Sequence, residues 1–460
     1  MAQHAQQLVG AVEELLGRPI PLRVRAWDGS QAGPPGAPTV VLRNRRALRR
    51  LLWAPGELGL ARAYVSGDLE VAPDTDLYEV LAAVTAFAED DGAPRPETGP
   101  RAYLGAPGRR LLATGLRLGA LGPDPAPPPE EVGHRRGRAH SRRRDRAAIS
   151  HHYDVGNDFY RLVLGPSMVY SCAYWEPAAK SLEDAQAAKL DLICRKLGLR
   201  PGLRLLDVGC GWGSLVLHAA RHYGVEAVGV SISTEQVALA RQRVAEAGLA
   251  DRIEIRLQDY REVPDGPFDA VSSVGMAEHV GSAQYLVYAR LLYGLLAPGG
   301  RLLNHQIARR PLPPGREYRL SPFIDRYVFP DGELSPIGTT VSRLEEAGFE
   351  VRDVEALREH YGRTLREWVA NLEAHWPEAV ALVGRNRARV WRLYMAASAV
   401  SFEQNHIGIN QVLAVRPTPV GASGLPPTRP QWLAGAVEVA EQHRPEDARD
   451  TDLGDRPSVR

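Results

Sequence analysis

One stretch of the chain reads Leu205-Leu206-Asp207-Val208-Gly209-Cys210-Gly211-Trp212-Gly213. Glycines at this spacing let the backbone come close to a ligand that a Cβ would hold away. Asp207 stands two residues before the first glycine, and the G-x-G-x-x-G spacing that cradles a diphosphate is absent. S-adenosylmethionine (SAM) suits such a turn. It carries no phosphate, and its amino-acid end needs carboxylate and backbone partners. The next aliphatic run ends Gly229-Val230-Ser231-Ile232-Ser233 without an acidic residue. Ser231 or Gln236 is therefore the candidate for the ribose hydroxyls. Gln258-Asp259-Tyr260 follows the third run, where an adenine ring would lie. There Asp259 can accept from the amino group and Tyr260 can stack. The three cysteines Cys172, Cys194 and Cys210 are too widely spaced for a zinc site, so no metal is expected.

The elements that position these residues follow from periodicity. Ser181 and Asp184 form a capping-box pattern, and the helix after them should run to about Leu197 before Gly198 and Pro201-Gly202. Strands are expected at 203–208, 226–230, 252–257, 268–274 and 301–307. Helices are expected at 214–223, 234–247 and 283–296. Strands alternating with helices give a doubly wound, mostly parallel α/β sheet. Helical patterns return between Leu365 and Gln404. Before this region, residues 1–91 read as a small α+β domain, with a strand at 39–42, a helix from Arg46 to Trp53, and strand and turn at 63–71. Residues 92–147 read as a Gly-, Pro- and Arg-rich linker. It contains a leucine stretch (Leu111, Leu112, Leu116, Leu118, Leu121) beside Arg109, Arg110 and Arg117, then a cluster at Arg135, Arg136, Arg138, Arg142, Arg143, Arg144 and Arg146. That cluster is either a solvated run or a patch attracted to anionic headgroups. The catalytic region is expected over 148–416 and a disordered tail over 417–460.

Composition narrows the classes. The 460 residues are 44% hydrophobic and 24% charged with a net charge of +1, which fits a globular chain and gives no polyelectrolyte argument for nucleic acid. No apolar run is long enough to span a membrane. The N-terminus shows no leader, and three cysteines give no disulfide framework, so a reducing cytoplasm is expected. Basic residues are almost all arginine: Lys180, Lys189 and Lys196 are the only lysines.

Several segments together carry a family resemblance. They are His152-Tyr153-Asp154-Val155-Gly156-Asn157-Asp158-Phe159-Tyr160, Tyr170-Ser171-Cys172-Ala173-Tyr174-Trp175, Leu206–Gly213 and Gln258-Asp259-Tyr260-Arg261. With them go Ser273-Val274-Gly275-Met276-Ala277-Glu278-His279-Val280-Gly281, Tyr327-Val328-Phe329-Pro330-Asp331-Gly332 and His360-Tyr361-Gly362-Arg363-Thr364-Leu365. From about 148 to 416 the chain resembles the cyclopropane-fatty-acyl-phospholipid synthases and the related mycolic acid cyclopropane synthases and methyltransferases. The resemblance implies a Rossmann-like class I methyltransferase sheet with helical additions. The phospholipid-acting members have a small N-terminal domain, to which residues 1–91 correspond loosely.

By this resemblance, Tyr170 and Ser171 touch SAM together with Asp207, Gly209, Cys210, Gly211, Gly213, Ser231, Gln236, Gln258, Asp259 and Tyr260. The family also holds a bicarbonate ion. Its ligands would be Cys172, Glu278, His305, Tyr361 and the backbone at Ile307, with Cys172 an ion ligand and not a nucleophile. Several members carry a cysteine in the late C-terminal helix where this chain has Ser398, so no thiol role is assigned there. The implied reaction adds a methylene from SAM across the double bond of an unsaturated phospholipid acyl chain. An unactivated alkene needs no base to start; it needs alignment, exclusion of water and stabilisation of a cation. Tyr170, Tyr174, Trp175, Tyr327 and Phe329 are candidate aromatic faces for that cation. Ring closure then needs a proton acceptor. Three other readings stay open: loss of a different proton to give a methylene- or methyl-branched chain, a SAM- and lipid-binding protein without turnover, and a small-molecule methyltransferase. Expected partners are unsaturated phospholipids at the inner membrane face, approached peripherally. A homo-oligomer and, for a branched product, a reductase are compatible with the sequence.

Overall fold

A computed structural model of the chain describes residues 3–89, 105–120, 122–133, 144, 155–313, 315 and 318–434. They fall into two compact units. One comprises 165–310, 333–360 and the segment from 408, and is built on a seven-stranded sheet. Its first helix, α1 (Leu182–Leu197), begins at the expected reciprocal capping box and stops at Gly198, which has the left-handed φ of 65°. The strands are β1 (Arg204–Val208), β2 (Glu226–Ser231), β3 (Ile253–Leu257), β4 (Phe268–Val274), β5 (Leu296–Arg309), β6 (Glu350–Ala356) and β7 (Ile407–Val415). Their order is β6-β7-β5-β4-β1-β2-β3. The pairs among β1 to β5 are parallel, and β6 pairs antiparallel with β7. The crossovers are α2 (Ser214–Tyr223), α3 (Thr234–Glu246), α4 (Tyr285–Leu295) and α5 (Ile337–Glu346). A parallel sheet needs both faces covered. Leu205, Ala227, Ile255 and Leu303 pack against α1, α2 and α3 on one face. Leu206, Val228, Leu302, Val412 and Ala414 pack toward α4 and α5 on the other. This is the α/β fold expected from the sequence.

The other unit comprises the chain up to 164 together with 311–332 and 361–407, so it does not follow the contiguous 1–91 boundary read from the sequence. Its small sheet joins Gln31–Ala32, Arg23–Arg25, Thr39–Leu42 and Leu69–Val71 in that order. The late helix Arg385–Glu403 enters this unit through Arg389, a buried guanidinium that donates to the carbonyls of Tyr64 and Leu69. An α+β N-terminal region is therefore present, completed by helices from far along the chain.

Three local readings change. Residues 63–65 close a helix, Glu57–Val65, and only Leu69–Val71 is strand; the β-rich composition there loses to burial of Ala61, Ala63 and Val65 on one helix. The region read as linker contains a helix, Ala106–Arg117, with proline in its first turn. Leu111 and Leu118 are buried in the same core cluster as Leu8 and Val9, while Leu116 is 64% exposed beside the exposed Arg117, so the helix is amphipathic and keeps one leucine on its surface. The tail is ordered well past 417. Helix Arg429–Ala434 forms, and Arg429 pairs with Asp353 and Glu355. Of the arginine cluster only Arg144 is described, paired through both nitrogens with Asp331; the others lie outside the described residues, as do His152, Tyr153 and Asp154. No helix among the described residues is long and apolar enough to cross a membrane.

Candidate active site

The glycine turn leaves β1 at its C-terminal end, where open α/β sheets bind ligands. Gly209, Gly211 and Gly213 all have positive φ, at 78°, 54° and 80°. They differ in what surrounds them. A Cβ on Gly209 would lie 2.5 Å from Met276 Cγ, whereas one on Gly211 meets nothing within 4 Å. Open space over Gly211 is what a turn presented to a ligand requires. Cys210 has its side chain buried against Gly229, a packing role.

Asp207 is buried, accepts a hydrogen bond from the Ser272 hydroxyl at 2.7 Å, and is pushed up to about 6 by that burial. Ser231 donates to Gln236 Oε1 at 2.9 Å, and both are buried, so the pair proposed for the ribose is preassembled. Gln258 donates to the Glu262 carbonyl, while its own amide oxygen has no partner among the described residues. The Asp259 carboxylate is held by Arg261 at 2.7 and 2.8 Å and caps its own turn. The Tyr260 ring stands edge-on to Tyr288 at 5.6 Å. Asp259 is thus already engaged by a cation that the sequence reading left out.

Ser171 brings in a residue that reading also missed. Its hydroxyl accepts from the Lys189 ammonium at 2.8 Å. Lys189 is buried in α1, close enough to Cys172 and Asp207 to be influenced by both, and burial lowers it to about 8. The signal was faint but present: lysine is the exception in this arginine-rich chain. Cys172 is fully buried beside Leu357, with its thiol pushed far above the ordinary cysteine value by burial. Burial thus favours the neutral thiol, a weak donor. Nearby, His360 Nδ1 accepts from the Trp175 N–H at 2.8 Å, and its ring stacks on Tyr174 at 5.0 Å.

Glu278 and His305 come from the C-terminal ends of β4 and β5. Glu278 Oε1 accepts from the Ile307 N–H at 2.7 Å. That backbone group is therefore used by the glutamate itself, a correction to its expected role as an ion ligand. Glu278 Oε2 is buried without a partner among the described residues, and desolvation pushes the group up to about 7. His305 is buried, both ring nitrogens lack partners among the described residues, and burial together with the nearby Lys189 and Lys196 charges holds it well below the usual histidine value. Its imidazole is neutral. These unpaired atoms fit a small anion that both donates and accepts, as bicarbonate does; the Cys172 thiol is directed at the Ala173 and Leu357 carbonyls. Cys172, Glu278, His305 and the glycine turn all lie in this unit. Tyr361 belongs to the other unit, where its ring packs on Phe402 at 4.7 Å and edge-on to Trp368 at 5.9 Å.

Comparison with known proteins places this geometry. The sequence pattern of the mycolic acid cyclopropane synthetase family matches residues 140–412. A Mycobacterium tuberculosis protein named "Probable fatty acid methyltransferase" is 46% identical over 424 residues, covering 90% of this chain and 95% of that protein. The cyclopropane-fatty-acyl-phospholipid synthase of Escherichia coli K12 is 40% identical over 265 residues, 58% of this chain and 66% of that one. A solved mycolic acid cyclopropane synthase complexed with SAH and CTAB aligns with a TM-score of 0.54 and 34% identity, over 58% of this chain and 97% of that one.

Proposed function

The chain belongs to the mycolic acid cyclopropane synthetase family, and from that premise we propose that it is a SAM-dependent C-methyltransferase that adds a methylene to the double bond of unsaturated phospholipid acyl chains, closing a cyclopropane ring. The observation that carries this reading is the pairing of a ligand-ready glycine turn with buried, unpartnered proton-transfer groups on the next two strands. SAM supplies an electrophilic methyl when bound. The turn and Ser171 orient it, Asp207 and the Ser231–Gln236 pair offer it polar partners, and the surrounding aliphatic core excludes water. Neutral His305 can accept a proton on a ring nitrogen. Glu278, poised near neutrality, anchors the β5 backbone beside it through Ile307. Bicarbonate, held by Glu278 and His305, would add a further base there.

A second reading has its own support. The relatives matched over most of this chain, in Mycobacterium tuberculosis and Pseudomonas putida, are named fatty acid methyltransferases. Loss of a different proton from the same cation would give a branched chain. Peripheral contact with the lipid surface is part of the proposal in either case.

The test uses purified protein, labelled SAM and vesicles of unsaturated phospholipid. Glu278→Gln and Tyr361→Phe should lower turnover by roughly 10²–10⁴-fold, the usual contribution of a positioned acid or base, with near-normal SAM affinity by calorimetry. Full activity in both variants would remove these residues from the mechanism.

A further inference from the structure

Gln411 lies in the middle of β7, fully buried, and neither atom of its amide has a partner among the described residues. A buried unpaired polar atom is costly. Asn410 precedes it and the aliphatic residues Val412, Leu413, Ala414 and Val415 follow. With no partner among the described residues, the amide is a polar group that packing alone does not call for.

Its place in the sheet gives it a task. β7 lies beside β5. The Arg416 N–H donates to the Gly300 carbonyl and the Gly299 N–H to the Arg416 carbonyl, so the two strands run antiparallel. Counting five residues back from Arg416 and five on from Gly300 brings Gln411 level with His305. Residues so paired sit about 4.5–5.5 Å apart at Cα and point to the same face. Burial agrees with this register. Leu302, Val412 and Ala414 share the core on the α4–α5 face, while Leu303 lies in the core on the α1 face. His305 and Gln411 alternate with these to the α1 face. Glu355, registered opposite Gln411 on β6, also reaches that face, where it pairs with Lys196 of α1.

We propose that Gln411 is a positioning residue for His305: its amide, through one buried water, fixes the orientation and tautomer of the imidazole and so decides which ring nitrogen is offered to the reacting centre. A neutral imidazole has one donor and one acceptor, and a glutamine amide matches either arrangement. Most charged groups around the histidine are already engaged: Lys189 donates to Ser171, Lys196 and Glu355 pair with each other, and the Cys172 thiol donates to the Ala173 and Leu357 carbonyls, while Glu278 keeps only Oε2 uncommitted, on the β4 side. The catalytic meaning of this role rests on the function proposed above; the effect on the imidazole does not.

Two variants test it. Gln411→Leu keeps the side-chain bulk and removes the amide that orients the ring. The melting temperature should fall only slightly, SAM affinity should stay near normal, and turnover should fall about 10–100-fold, the range seen when the partner that orients a functional histidine is lost. Nitrogen NMR of labelled histidine should show a changed tautomer ratio for His305. Gln411→Glu sets a carboxylate beside the ring, so the His305 titration and the acid limb of the turnover profile should both move to higher pH. Should that variant fail to fold, Gln411→Leu carries the test alone. The proposal is overturned by a Gln411→Leu variant with full turnover and an unmoved imidazole spectrum. It is equally overturned when stability and turnover fall together with the spectrum unmoved, since that marks packing alone. A wild type without lipid turnover sinks the proposed function, while the NMR arm still decides the role of Gln411.

Discussion

Glu278 and Asp207 are carboxyl groups that burial holds near neutrality, at about 7 and about 6. The folded protein therefore binds protons that the unfolded chain, with ordinary carboxyls, has released. The advantage is full below the ordinary carboxyl range and is lost as pH rises through about 6 and about 7. Glu278→Gln stays neutral throughout. Its melting temperature should exceed that of the wild type at pH 8, and the two should converge toward pH 4; a pH-independent difference would contradict the burial of Glu278. The glycines separate in a second way. Gly209→Ala should destabilise the fold through Met276 as well as its positive φ, whereas Gly211→Ala, with open space above it, carries only the strain of its φ of 54° and should lower SAM affinity by calorimetry. Undiminished SAM affinity in Gly211→Ala would remove the turn from the site. At this scale, residue type and local spacing were enough to single out Asp207 and Gly211, and Glu278 entered through the family resemblance. The sequence was silent on Lys189 and Gln411, whose meaning depends on which strand or segment the fold sets beside them.

The elements of the sheet unit were readable because each carries its own signal. Continuous aliphatic runs, buried on both faces, mark most of the strands, and the Ser181–Asp184 box and Gly198 bracket α1. Elements whose identity depends on distant partners were not readable. The helix at 106–117 is stabilised by the core it joins, and the tail helix by a charged cluster that no local pattern announces. In that cluster Lys196 is buried against Glu355 at 2.5 Å and Asp353 at 3.6 Å, with Arg429 on the same two carboxylates from a more exposed position. Arg429→Met should cost less than about 1 kcal/mol in denaturant unfolding, as exposed pairs do. Lys196→Met should cost clearly more, because it strands carboxylates that the fold has partly desolvated. Equal costs would mean that the buried ammonium adds nothing beyond the surface pair.

Over the whole molecule, residues up to 164 with 311–332 and 361–407 form one unit while the SAM-type sheet forms the other, an interleaving that contiguous boundaries cannot express. Leu111 and Leu118 are packed into the first unit and Leu116 is exposed, so attraction to lipid is expected mainly from the arginine-rich run. Sedimentation with anionic vesicles should weaken as salt rises, and salt-insensitive binding would point to an apolar contact instead. The central claim is the chemistry, and product analysis tests it most directly. Purified protein is given SAM with a fully deuterated methyl group and vesicles of a monounsaturated phospholipid, and the acyl chains are read by mass spectrometry and NMR. The account predicts a chain that has lost its olefinic signals and gained a cyclopropane methylene keeping two of the three deuteriums. An acyl chain with its double bond intact and no label would contradict it.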